Sequence, residues 1–108
     1  QCSQCHAENT AFPPGFLHGD ESRVRANLAT CAQRMRYRLE MNRLPPAARP
    51  KTPMPPPAAA HAAALLQSPD LAAMRDLLER LLQARGAPGH DVLAQPYATL
   101  ELCRIPTG

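Results

Sequence analysis

Two cysteines and a histidine stand together near the start of the chain, in Cys2-Ser3-Gln4-Cys5-His6. Four chemistries use residues of this kind at this spacing. A zinc site normally brings a second close pair of ligands. The remaining cysteines, Cys31 and Cys103, are single and far apart, so a zinc set would have to be gathered from Cys2, Cys5, Cys31 and His18. A redox dithiol expects the motif at the start of a helix that follows a strand, and no strand pattern precedes it. A disulfide within the motif is sterically tight and leaves His6 idle. Covalent attachment of a c-type haem uses all three residues. Each thiol adds to one vinyl group, a short turn sets the two sulfurs beside adjacent pyrrole edges, and the following histidine meets the iron from the proximal side. Haem attachment is therefore the preferred reading, with Cys2, Cys5 and His6 as the binding residues.

A six-coordinate haem needs a distal ligand, and methionine opposite histidine raises the reduction potential relative to two histidines. The methionines are Met35, Met41, Met54 and Met74. Met35 and Met74 fall on apolar helical stripes, where methionine is ordinary core filler, and Met41 falls near a helix end. Met54 stands in "KTPMPPP", where flanking prolines stiffen the backbone and remove amide donors, so a thioether held there loses little freedom on binding iron. Thr52 is placed to help by hydrogen bonding to a propionate or to the backbone. Met54 is the preferred distal ligand. The histidine alternatives are His61, just after the proline run, then His90 in a Gly/Pro-rich stretch, and His18, which is close to the motif in sequence for reaching the far face.

The elements that must position these residues are set by period and punctuation. Residues 7–20 read as a loop, with Asp20 capping the helix after it and Glu21 in that helix's first turn. Residues 21–43 read as a helix. Val24, Leu28, Cys31, Met35 and Leu39 form its apolar face. Arg23, Arg25, Arg34, Arg36, Arg38 and Arg43 crowd the rest, read first as a solvated face. Residues 44–57 hold seven prolines and predict an extended, polyproline-like segment. Residues 58–67 are alanine-rich and partly helical. Ser68, Pro69 and Asp70 are cap, first position and dipole partner of a helix over 69–85. Its stripe is Leu71, Met74, Leu77, Leu78, Leu81 and Leu82, and Gly86 ends it. The tail, residues 86–108, has little helical character, and "YATLELCRI" predicts a short extended segment.

Composition bounds the rest. The chain has 108 residues, room for one small domain, residues 1–108. Tyr37, Tyr97, Phe12 and Phe16 are its aromatics and it has no Trp, so the core is Leu, Ala, Val and Met, with space for an apolar cofactor. Net charge is +3, with eleven Arg against one Lys. That excess is mild, unclustered and without interleaved aromatics, which argues against nucleic acid. No apolar run is long enough to cross a bilayer. No signal peptide is read in the chain, which is expected to be a trimmed product or a piece of a longer one.

Cys2, Cys5 and His6, then Met54 in "TPMPPP", then an amphipathic helix at 69–85, resemble the class I c-type cytochrome family over residues 1 to about 86. The resemblance implies an all-α fold of cytochrome c-like helices around one covalent haem c. Cys2 and Cys5 would be the attachment points, and His6 and Met54 the proximal and distal iron ligands, with Met54 standing 48 positions after His6. Family members carry a helix before the motif that packs on the C-terminal helix, whereas here only Gln1 precedes it. The tail exceeds what the family needs and is expected to cover the surface such a helix would leave bare.

The resemblance further implies an extracytoplasmic location, periplasmic in a bacterium, because haem is attached outside the cytoplasm. In that oxidising compartment Cys31 and Cys103 are expected to form a disulfide, the alternative being two buried free thiols. The function implied is electron transfer without an enzymatic activity of its own. The implied partners are redox proteins, with acidic ones favoured by the arginines and with no nucleic acid. One or two arginines would otherwise neutralise propionates. Two alternatives stay open: a haem sensor or catalytic haem module with a weak or open distal site, and a zinc-stapled interaction module.

Overall fold

The structure is a computed structural model and describes residues 6–7, 15–58, 62–86 and 92–104. These residues form an all-α arrangement, with no strand among them. Helix α1 spans Glu21–Glu40. The Asp20 side chain starts it by accepting from the Arg23 amide at 2.8 Å, and Glu21 complements the dipole. The predicted helix over 21–43 ends three residues early as an α-helix. Met41–Arg43 tightens into a 3-10 turn, and Leu44 is already extended, as a residue before proline must be. A short helix α2, Ala62–Leu66, leads to α3, Pro69–Ala84. Ser68 caps α3 by accepting from the Asp70 amide at 3.1 Å, and Gly86 leaves it at φ +70°, a left-handed conformation that glycine adopts without steric cost.

Helix α3 packs antiparallel on α1. The pairing runs from Arg75 beside Glu40, through Arg36 beside Arg75 and Glu79, to Arg85 on the Ala29 carbonyl at the other end. Ala32, Leu39, Leu78 and Leu82 make the buried seam, and Leu78 and Leu82 are wholly enclosed. The two predicted stripes therefore face each other.

Arg25 and Arg43 are solvated as expected, with side chains 73% and 65% exposed, whereas Arg36 corrects the expectation. Arg36 and Glu40 are each 7% exposed and joined at 3.0 Å. Glu40 Oε1 also accepts from Arg75 Nε at 2.9 Å, and its Oε2 from Arg43 Nη1 at 3.2 Å. Arg36 Nη1 reaches the Arg75 carbonyl and Glu79. A pair buried so deeply is tolerated only when every charge is matched in this way. Burial alone pushes the Glu40 carboxyl up. Hydrogen bonds from Arg75 and Arg43 and the charges of Arg75 and Arg36 outweigh it and hold the group below the ordinary glutamate range.

The tail runs back along a neighbouring face of α1. Val92–Ala94 and Tyr97–Thr99 are 3-10 turns, and 101–104 has no regular structure. The extended segment predicted within "YATLELCRI" thus does not form over Tyr97–Thr99. The segment lies on a helix, which offers no edge for a strand to pair with. Val92 and Leu100 bury with Tyr37 and Met41. The Glu101 amide donates to Gln33 at 2.9 Å, and Cys103 is disulfide-bonded to Cys31, with Cα atoms 4.3 Å apart. The proline-rich segment is not extended throughout, since Pro46–Ala48 forms one 3-10 turn. No helix among the described residues is long and apolar enough to cross a membrane.

This packing has two measurable outcomes. Glu40→Gln removes the closer of the two carboxylates on the buried Arg36 guanidinium, leaving it the Glu79 contact at 3.4 Å, and lowers stability by about 3 kcal/mol in urea titrations. Because the folded carboxyl titrates below its ordinary value of 4.5, the native protein has this stability in full above that range. It loses it as pH falls through the lowered folded value, and the variant lacks that part of the acid dependence. Cys103→Ser opens a loop spanning a sequence separation of 72 residues. Non-reducing urea denaturation should show a loss of up to about 4 kcal/mol by the chain-entropy model.

Candidate functional site

His6 is half-buried. Its carbonyl accepts from the Leu17 amide at 2.9 Å, and His18 Nδ1 lies 3.3 Å from the Ala7 carbonyl. Residues 15–18 thus return across residues 6–7 and hold them. The return also brings the Phe16 ring to 4.2 Å from the His6 ring, tilted by 31°. Phe16 is buried with Leu28 and Cys31 of α1. The imidazole is consequently oriented by an aromatic face that α1 itself fixes.

Met54 is placed by the other end of α1. Its amide donates to the Arg38 carbonyl at 3.1 Å, and its carbonyl accepts from Asn42 Nδ2 at 2.7 Å. Asn42 also donates to the Leu39 carbonyl, and Arg38 Nη1 donates to the Thr52 carbonyl at 3.1 Å. Thr52 therefore contributes its backbone carbonyl to the strap that holds Met54. Pro53 is buried, and the half-buried Met54 side chain packs on the α1–α3 seam with Met35, Leu71 and Met74. A methionine in a slack linker would show none of these restraints.

Met35 joins the two regions, since it packs against the Met54 cluster and against the Phe16 cluster. Around it lies a row of half-buried apolar side chains: Val24, Leu71, Met74, Leu77 and Leu81. Part of that row walls a groove of about 210 Å³ between Val24 and Leu28 of α1 and Leu77 and Leu81 of α3. Glu21 and Arg25 complete the lining of that groove, while Met54 packs on the Met35 side of the row and His6 reaches it through Phe16. Met41, by contrast, is wholly enclosed in the tail cluster.

Cys2 and Cys5, and the alternative ligands His61 and His90, lie outside the described residues. The zinc set that included Cys31 loses that ligand to the disulfide with Cys103. Among the described residues no group of three or more His, Cys, Asp or Glu side chains is spaced to hold a metal ion. Phe16 and Asn42 are contributors that sequence reasoning missed. A lone aromatic in a Gly/Pro-rich loop and a lone amide at a helix end carry no periodic signal. No family model, no curated protein and no solved structure matches the chain.

Removing the Asn42 amide tests the strap directly. Asn42→Ala leaves the Met54 carbonyl without its donor, a loss of about 1 kcal/mol. Hydrogen exchange at the Met54 amide should accelerate roughly fivefold, while amides along the α1–α3 seam keep their protection.

Proposed function

We propose that this protein is an electron-transfer module carrying one covalently attached haem c. Cys2 and Cys5 would hold the group by thioether bonds, and His6 and Met54 would ligate its iron. The Cys2-Ser3-Gln4-Cys5-His6 stretch carries the reading, because attachment chemistry alone among its readings needs all three residues. The restraints on Met54 support it. When bound, the haem supplies a one-electron couple between ferric and ferrous iron.

The chain's own residues would do the rest. Phe16 restricts the orientation of the His6 imidazole. Asn42 and Arg38 fix the Met54 backbone, so only side-chain rotations remain for the thioether to lose. Met35, Met74 and Leu77 would keep water from the apolar strip, and ligation by one thioether and one imidazole would favour the reduced state. The Cys31–Cys103 disulfide agrees with an oxidising, extracytoplasmic compartment such as the periplasm. The role is that of a carrier serving redox partner proteins, and it resembles that of class I c-type cytochromes.

The test is a visible spectrum of the protein from a host able to attach haem, first oxidised and then reduced with dithionite. A sharp low-spin c-type spectrum, with the weak far-red methionine-to-iron band in the oxidised form, is expected. Met54→Ala should keep the haem attached, lose that band and let carbon monoxide bind the reduced iron rapidly. A variant spectrum identical to the parent would remove Met54 from the ligand set. Haem with an open site already in the parent would favour a sensor or catalytic module. A colourless parent would end the electron-transfer reading.

A further inference from the structure

Three cations converge on one ring outside the ligand strip. Arg34 Cζ lies 4.5 Å from the Tyr97 ring centroid, Arg38 Cζ 4.9 Å and Lys51 Nζ 5.1 Å. The Tyr37 ring meets Tyr97 edge-on at 5.0 Å. The hydrogen-bond partners of these cations are all neutral. Arg34 Nη2 donates to the carbonyls of Ala98 and Leu100, Arg38 Nε to the Tyr97 hydroxyl, and Arg38 Nη1 to the Thr52 carbonyl. Among the described residues no carboxylate pairs with any of the three. Arg25, Arg36, Arg43, Arg75 and Arg85 each have one.

Like charges held this close repel, and the repulsion falls when an anion joins them. The geometry also prepares them for one. The ring and the carbonyls hold both guanidiniums in place, so few side-chain rotations are lost on binding. Arg34 Nη1 and Arg38 Nη2 have no partner among the described residues, and Lys51 is exposed. Planar guanidinium forks match carboxylates, and a cluster of three charges is a small footprint for a nucleic-acid backbone, whose binders neutralise many phosphates.

We propose that the face formed by Arg34, Arg38, Lys51 and Tyr97 docks an acidic segment of a partner protein, a short run of Asp and Glu side chains. The site is independent of haem attachment, since none of its groups ligates iron. It nonetheless borders the Met54 strap: Arg38 bonds Thr52 through its side chain and Met54 through its carbonyl. A partner seated here would arrive beside that loop.

Calorimetric titration with a hexaglutamate peptide tests the site, at about 10 mM and about 150 mM salt, where the screening length falls from about 30 to about 8 Å. The parent should bind at low salt and weaken as salt rises. Lys51→Glu, at an exposed side chain with no hydrogen bond to lose, should weaken binding about fivefold or more, and Lys51→Gln by less. Arg80→Glu, reversing an exposed charge on α3, should change it less than twofold. Absence of binding at low salt would overturn the proposal. So would equal losses in the Lys51→Glu and Arg80→Glu variants, which would mean attraction to net charge alone. Full displacement of the peptide by an equal concentration of inorganic phosphate would overturn it too, leaving a small-anion site. The visible spectrum is read separately, so a negative titration leaves the haem reading untouched and a colourless protein leaves this one standing.

Discussion

The Glu40 carboxylate sets the register on which the rest of the molecule depends. Both of its oxygens are occupied, by arginines from α1, from the turn after it and from α3. Hydrophobic stripes alone allow two antiparallel helices to slide by a turn, because leucine meets leucine again after the shift. A buried carboxylate does not permit that. Moving α3 by one turn would part Arg75 and Glu79 from their partners and leave charge unpaired in the seam, at a penalty of roughly 3–5 kcal/mol. The fixed register then aligns Ala32 with the fully enclosed Leu78 and Leu82, and leaves Met35 free to face both halves of the candidate site.

With that register fixed, α1 serves as the common seat for three other segments. Its N-terminal half receives Phe16 and through it His6. Its C-terminal end receives the Met54 strap through Arg38 and Asn42. A third face receives the tail, held by Gln33, Arg34 and the disulfide at Cys31. A chain of 108 residues with four aromatics has little apolar area to spare. It makes up the deficit with directional bonds from a helix to irregular segments, and arginine suits that task because one guanidinium can reach two carbonyls and a ring together.

Local signals in the sequence were enough for α1 and α3. Asp20 and Ser68 are caps whose hydrogen bonds form within three residues, and the Leu and Met stripes repeat at the helical period. The tail was not legible, because its conformation is decided by a helix face far away in sequence. Its weak alternation belongs to a segment that buries Val92 and Leu100 on a helix. Arg36 and Arg34 misled for the same reason. Spacing says which of them share a face, but not that α3 brings Glu79 to Arg36 or that the tail brings carbonyls to Arg34. Met54 stood out because proline density marks a stiff loop, while Asn42, which ties that loop down, stands at a helix end like any solvated amide.

The two candidate ligands are held by different means, with different consequences for the site. His6 is restrained through its ring, packed at a tilt against a buried phenylalanine, so its orientation is restricted before any ligand meets it. Met54 is restrained through its backbone, while its side chain rests among Met35, Leu71 and Met74, all flexible or weakly directional neighbours. A thioether in such company can shift without breaking a polar bond, whereas the imidazole cannot turn without leaving its aromatic face. The Met54 side is therefore the adaptable side, and its freedom is governed from the C-terminal end of α1, where Arg38 also bonds Tyr97. Anything that draws on the Arg38 guanidinium from the cationic face pulls on the Thr52 carbonyl, one of the bonds of the Met54 strap.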